Sequence, residues 1–285
     1  MLGRITVYLL IALLVWGNIV SGLGAGLACP DWPLCYGKYL PPLRWDIVLE
    51  KGHRVLAAVA GIALISLCLV RVARYRGWAK GLPLFTLLVL AIQIPLGGLV
   101  VLLGLPVNVT TMHFALAITI FSLALYIAYF DGTRLSPRFS LGGALGLFFF
   151  LGLLVVVQSV LGAYVRHSGS ALACGMDFPK CLGYLVPPNH SKVVVIHLLH
   201  RALAYLIVLV ILFSALAALF LKGLSHWRGR LFLLLVLALI QIAVGAGVIH
   251  TKVDAAVVAV HIVVAIALLS AAATTWFDGM RERVG

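Results

Sequence analysis

The stretch Glu50-Lys51-Gly52-His53-Arg54, followed without a break by Val55–Val70 (VLAAVAGIALISLCLV), decides the fold. No charge occurs between Arg54 and Arg71. A continuous apolar run of this length suits a helix crossing the roughly 30 Å hydrocarbon core of a bilayer. Seven more runs read the same way, giving spans near 5–20, 53–70, 82–104, 110–130, 142–162, 193–220, 231–250 and 254–276. Strands of a membrane barrel would alternate apolar and polar residues, and these runs do not. The reading is an all-α integral membrane protein of eight transmembrane helices.

Composition agrees, since the 285 residues are 64% hydrophobic and only 10% charged, which excludes an ordinary soluble domain. Arg4 ahead of the first run also suits a signal peptide. The equivalent run near 142–162 lies mid-chain, so the first is read as a span too. The net charge of +13 invites a nucleic-acid partner, but the basic residues are scattered between spans, and no nucleic acid is expected. Arg4, the cluster Arg71, Arg74, Arg76 and Lys80, then Arg134, Arg138, Lys222, Arg228, Arg230, Arg281 and Arg283 all fall on one side. By the positive-inside rule that side is cytoplasmic and holds both termini, which predicts a multi-pass protein of the cell membrane. Cys29, Cys35, Cys174 and Cys181 then fall in the outer loops, where disulfides persist, and Cys68 stands alone in a span. Four cysteines admit three connectivities, of which Cys29 with Cys35 and Cys174 with Cys181 is the local one.

An offset near 147 lays the second half over the first residue by residue, dividing the chain into 1–138 and 139–285. Leu27-Ala28-Cys29 matches Leu172-Ala173-Cys174, Asp31-Trp32-Pro33 matches Asp177-Phe178-Pro179, and His53-Arg54 matches His200-Arg201. Gln93 and His113 match Gln241 and His261, with equal spacing in both halves. Odd-numbered spans near the outer side carry an amide, three residues, then glycine: Asn18/Gly22, Gln93/Gly97, Gln158/Gly162 and Gln241/Gly245. Such an amide can bond a neighbouring helix or a ligand, and the glycine lets a backbone or a flat macrocycle approach.

Four of the nine histidines, His53, His113, His200 and His261, are expected within the first two turns of even-numbered spans. Ionisable side chains in a bilayer are costly and mark function. Each half then offers two imidazoles at similar depth, the arrangement that holds a heme between helices. Zinc would call for cysteine or carboxylate partners that these spans lack. Arg54 and Arg201 are candidates for pairing with heme propionates, with snorkelling to lipid headgroups as the plainer reading. The halves differ at Glu50, three residues before His53, where the second half has His197. That spacing puts Glu50 on the ligand's helical face, as a base or a stabiliser of developing positive charge; pairing with Lys51 or Arg54 is the competing reading.

The motifs Ala28-Cys29-Pro30-Asp31-Trp32-Pro33-Leu34-Cys35, Glu50-x-x-His53-Arg54, Gly162-Ala163-Tyr164-Val165-Arg166-His167-Ser168-Gly169 and His200-Arg201 resemble the heme A synthase family over essentially the whole chain. The resemblance implies two pseudo-symmetric four-helix bundles and oxidation of the C8 methyl of heme O to the formyl of heme A. It implies a b-type heme on His200 and His261, substrate heme on His53 and His113, and Glu50 as the catalytic glutamate. It further implies a disulfide in each cysteine pair, heme O synthase as the partner that delivers substrate, and a role in assembling the terminal oxidase. The electron acceptor is not named by the sequence, and a homo-oligomer is left open. An electron-transfer cytochrome with two permanent hemes is the first rival, and a heme transporter the second.

Overall fold

A backbone in lipid must satisfy its own hydrogen bonds, so each apolar run closes into a helix. The computed structural model describes residues 1–188 and 190–282. Its long helices are α1 (Leu2–Gly22), α2 (Trp45–Arg74), α3 (Gly81–Leu102), α4 (Val107–Tyr129), α5 (Ala144–His167), α6 (Lys192–Phe220), α7 (Arg228–His250) and α8 (Ala255–Glu282). Among the described residues eight spans are long and apolar enough to cross a membrane. The protein is all-α and multi-pass. Arg283, counted above among the basic residues, lies outside the described residues.

Met1–Phe139 is one compact unit, and a second begins at Ser140. In the first, α1 packs on α2 and α4, and α3 packs on the same two, closing a ring of four helices. In the second, α5 and α7 each pack on α6 and α8. The first bundle is tied at the end away from its disulfide loop by buried polar groups, with Arg71 donating from Nε to the Ile127 carbonyl at 2.6 Å and the Tyr75 hydroxyl donating to the Phe130 carbonyl. In the second, Phe148 meets Trp227 edge-on and the Trp276 indole donates to the Ser140 carbonyl at 2.9 Å.

One helix starts two turns before hydropathy places it. The apolar run of α2 begins at 53, but the helix begins at Trp45 and carries Asp46, Glu50 and Lys51 in its opening turns. Polarity ends a hydropathy window; it does not end a helix, and an acidic residue in the first turn complements the helix dipole. His53 and His200 therefore stand eight residues beyond the first residue of their helices, in the third turn and not in the first two. His113 and His261 stand six residues in, so each bundle carries one imidazole at about 12 Å and one at about 9 Å along the helix axis.

The hairpins that join α3 to α4 and α7 to α8 have matching bonds. Leu105 donates to the Val100 carbonyl and Val253 to the Val248 carbonyl, both at 2.8 Å. The left-handed backbone of this turn falls on Gly104 in the first half and on Lys252 in the second, at φ 72° and 54°.

Candidate functional site

Each candidate histidine is seated against a glycine of the preceding helix. A Cβ added to Gly17 would lie 2.8 Å from Cε1 of His53; the distances are 2.9 Å for Gly97 and His113, 3.0 Å for Gly162 and His200, and 3.1 Å for Gly245 and His261. The glycines thus admit an imidazole edge to the helix backbone. One assignment changes: the glycine of α1 at its histidine is Gly17, not Gly22. The cysteines gave the true register, since Gly17 precedes Cys29 by as much as Gly162 precedes Cys174.

Three of the four rings also meet an amide. Gln93 Nε2 lies 3.5 Å from His113 Nε2, Gln158 Nε2 lies 3.4 Å from His200 Nε2, and Gln241 Nε2 lies 3.1 Å from His261 Nε2. Gln158 also donates to the His200 carbonyl at 2.9 Å. In each bundle the two rings are close enough to interact electrostatically, His53 with His113 and His200 with His261. Nδ1 of all four histidines and Oε1 of the three glutamines are buried without a partner. Buried polar atoms are seldom left this way, and orphans repeated at one place mark a missing ligand. Among the described residues no group of three or more His, Cys, Asp and Glu is gathered for a bare metal ion. A heme fits, because the macrocycle supplies the equatorial nitrogens and asks the protein for only two axial imidazoles.

The arginines that follow His53 and His200 bond the preceding loops. Arg54 donates from Nη1 to the carbonyls of Asp31 and Leu34 at 2.8 and 2.6 Å, and from Nη2 to the Cys29 carbonyl and to Glu50. Arg201 repeats the pattern on the Asp177 and Lys180 carbonyls at 2.9 and 2.8 Å. Its guanidinium also lies 5.4 Å from the Phe178 ring centroid. Beside the two expectations for them, propionate pairing and snorkelling to headgroups, the structure shows a third engagement, with the loops that precede α2 and α6. Those loops are closed by the disulfides Cys29–Cys35 and Cys174–Cys181, the local pairing. Asp31 anchors its loop by accepting from Tyr36 and Gly37 at 2.6 and 2.8 Å, and Asp177 accepts from Gly183 at 2.7 Å. The Gly37 donor, with that of Tyr36, holds the Asp31 carboxyl below the usual carboxylate range. The anchor is therefore complete at neutral pH and is lost as pH falls through that lowered value.

Glu50 is 3% exposed. One carboxylate oxygen accepts from the Cys29 backbone at 2.7 Å, and the other pairs with Arg54. Of the two readings of this residue, the structure displays the ion pair with Arg54. In the second half Arg201 donates from Nε to His197 Nε2 at 3.0 Å. A ring nitrogen that accepts a hydrogen bond carries no proton, so His197 is neutral. The corresponding corners consequently differ by one charge: carboxylate plus guanidinium cancel, whereas neutral imidazole plus guanidinium leave a positive charge.

A family model described as cytochrome oxidase assembly protein matches residues 45–273. The chain is similar to the heme A synthase of Symbiobacterium thermophilum, with 33% identity over 72% of this chain and 71% of that protein. It is 32% identical to the heme A synthase of Exiguobacterium sibiricum over 86% of this chain and 82% of the relative. The heme A synthase of Bacillus licheniformis is 29% identical over 89% and 86%. The chain belongs to the heme A synthase family of cytochrome oxidase assembly proteins. For a member of this family, the matched region contains Glu50 and all four seated histidines.

Sequence reasoning missed three residues near these seats. Trp16 of α1 donates from its indole to the Leu49 carbonyl at 2.9 Å, bracing the turn that carries Glu50. The indole of Trp32 rests against α3, where a Cβ on Gly98 would lie 2.8 Å from it. Tyr205, one turn beyond Arg201, has a buried hydroxyl without a partner. Pairing Trp32 with the glycine next to Gly97 was the one signal available, because the second half has Phe178 and Ala246, a smaller ring and a larger helix residue.

Proposed function

We propose that this chain converts heme O to heme A, oxidising the C8 methyl of the macrocycle to a formyl group by successive hydroxylations. The observation that carries the reading is the duplicated seat, two pairs of imidazoles with buried, orphaned Nδ1 atoms, in a chain that aligns with a heme A synthase over 89% of its length. The first half takes substrate heme between His53 and His113. The second keeps a b-type heme between His200 and His261.

The charge difference beside the ligands supports this division. Heme propionates are anionic, so the net positive corner at His197 and Arg201 favours lasting retention, while the neutral corner at Glu50 and Arg54 favours exchange. Glu50 is the catalytic candidate, acting through its fixed negative charge one turn before His53. Basic residues on one set of connections and disulfides on the other support a cell-membrane protein with cytoplasmic termini and outer disulfide loops. Heme O synthase is the partner that supplies substrate, and electrons pass to a separate acceptor.

The test is pigment analysis of membranes from heme O-producing cells with and without this chain. Heme A or a hydroxylated intermediate is expected only with the chain. Unchanged heme O beside a fully loaded protein would replace the enzyme with an electron-transfer cytochrome. The seat itself is tested by Gly245→Val, which crowds His261 and is expected to lower bound b-type heme about tenfold, against Gly229→Val, where an added Cβ meets nothing within 4 Å.

A further inference from the structure

The four seats are not equally furnished. On α3, α5 and α7 the residue one turn before the seating glycine is a glutamine, and its amide lies on the imidazole. On α1 that position is Leu13, one turn before Gly17. No hydrogen bond involves His53 among the described residues, and its Nδ1 is buried without a partner. A ring held by a backbone on one edge, with an amide whose oxygen can turn to accept from its Nε2 proton, is fixed before it meets iron and leaves its orphaned Nδ1 for the metal. A ring held by the backbone alone keeps more orientations, which it must surrender on ligation.

We propose that His53 is the yielding ligand of the first pair, and that Gln93, Gln158 and Gln241 are positioning residues that fix the other three imidazoles. The second bundle has an amide on both ligands, and its heme stays. The first has an amide on His113 only, so substrate heme hangs firmly from α4 and loosely from α2. This asymmetry gives the incoming heme one prepared ligand to bind first and one labile ligand to release when product leaves. Leu13 adds nothing polar to replace the missing amide. The proposal rests on the heme reading above and specifies which coordination position of the substrate opens.

The experiment uses the full chain purified with its resident heme, whose retention reports a folded protein. Ferric protoheme is added, and its spin state is read by electron paramagnetic resonance together with its rate of release to apomyoglobin. The wild type is expected to show a partly high-spin added heme. Leu13→Gln, which supplies the fourth amide, is expected to shift it to low spin and slow release by about tenfold, the usual scale for a group that orients a metal ligand. Gln93→Leu, on another helix, is expected to raise the high-spin share and speed release by a similar factor. Spin state and release unchanged in both variants, with added heme bound, would overturn the proposal and leave the heme reading standing. No uptake of added heme by any of the proteins would overturn both.

Discussion

Glu50→Ala is expected to retain the low-spin b-type heme of the second half and to yield no heme A. The carboxylate is almost wholly buried, and both oxygens are engaged, one by the Cys29 N–H and one by Arg54. Removing it leaves a guanidinium without its counter-charge and an amide without its acceptor. Loss of one partner of a buried pair costs about 3–5 kcal/mol, and the first disulfide loop takes that loss directly, because Arg54 and Cys29 both belong to its frame. The second half is untouched, since Arg201 is held by His197 and by its own loop carbonyls. Glu50→Gln separates charge from scaffold. It keeps an acceptor for Cys29 and removes the negative charge, so the loop should lose less of its resistance to reductant and protease than in the alanine variant. Heme A output should nevertheless fall by about 100-fold or more, the scale of a lost electrostatic stabiliser. Normal output from the alanine variant would remove Glu50 from the mechanism. Normal output from the glutamine variant alone would make it an anchor of the disulfide loop.

The spans were legible because lipid imposes a single demand on composition, and a run such as Val55–Val70 meets it without reference to any neighbour. Helix starts were less legible, since Trp45–Gly52 carries the charges of Asp46, Glu50 and Lys51 and is still helical where Asp46 and the helix dipole stabilise it. The four histidines were found by repetition, and the local disulfides by compartment and spacing. The fate of Arg54 and Arg201 was hidden for a physical reason: their partners are backbone carbonyls, whose directions depend on how a loop turns and leave no trace in residue type. Gly17 was hidden because the position one turn before it holds Leu13 and no amide, while Asn18 and Gly22, five residues further on, carry the amide-to-glycine spacing of the other spans. Glu50 stood out in the sequence by its place one turn before His53, and its bond to Cys29 did not, because it joins a helix to a loop twenty-one residues earlier in the chain.

His261→Ala is expected to remove essentially all low-spin b-type heme from the purified protein, and His113→Ala to leave it in place while abolishing heme A formation. The two residues occupy the same register of α8 and α4, each against a glycine and a glutamine, so local burial does not distinguish them. What distinguishes them is the rest of the bundle. His261 shares its site with His200, which is held by Gln158 and stands beside the net positive corner of His197 and Arg201. His113 shares its site with His53, which has no amide, beside a neutral corner. On the proposed division of roles, removing one ligand from the second-half site leaves iron with a single imidazole, and the spectrum changes whether or not the macrocycle remains. Removing His113 takes the firm half of a site already designed for exchange, so substrate loses its first attachment and the resident heme reports nothing. Visible absorption of the purified variants and heme extraction decide the matter together. Equal loss of b-type heme from both variants would end the division of roles between the halves, because it would require a permanent heme in each.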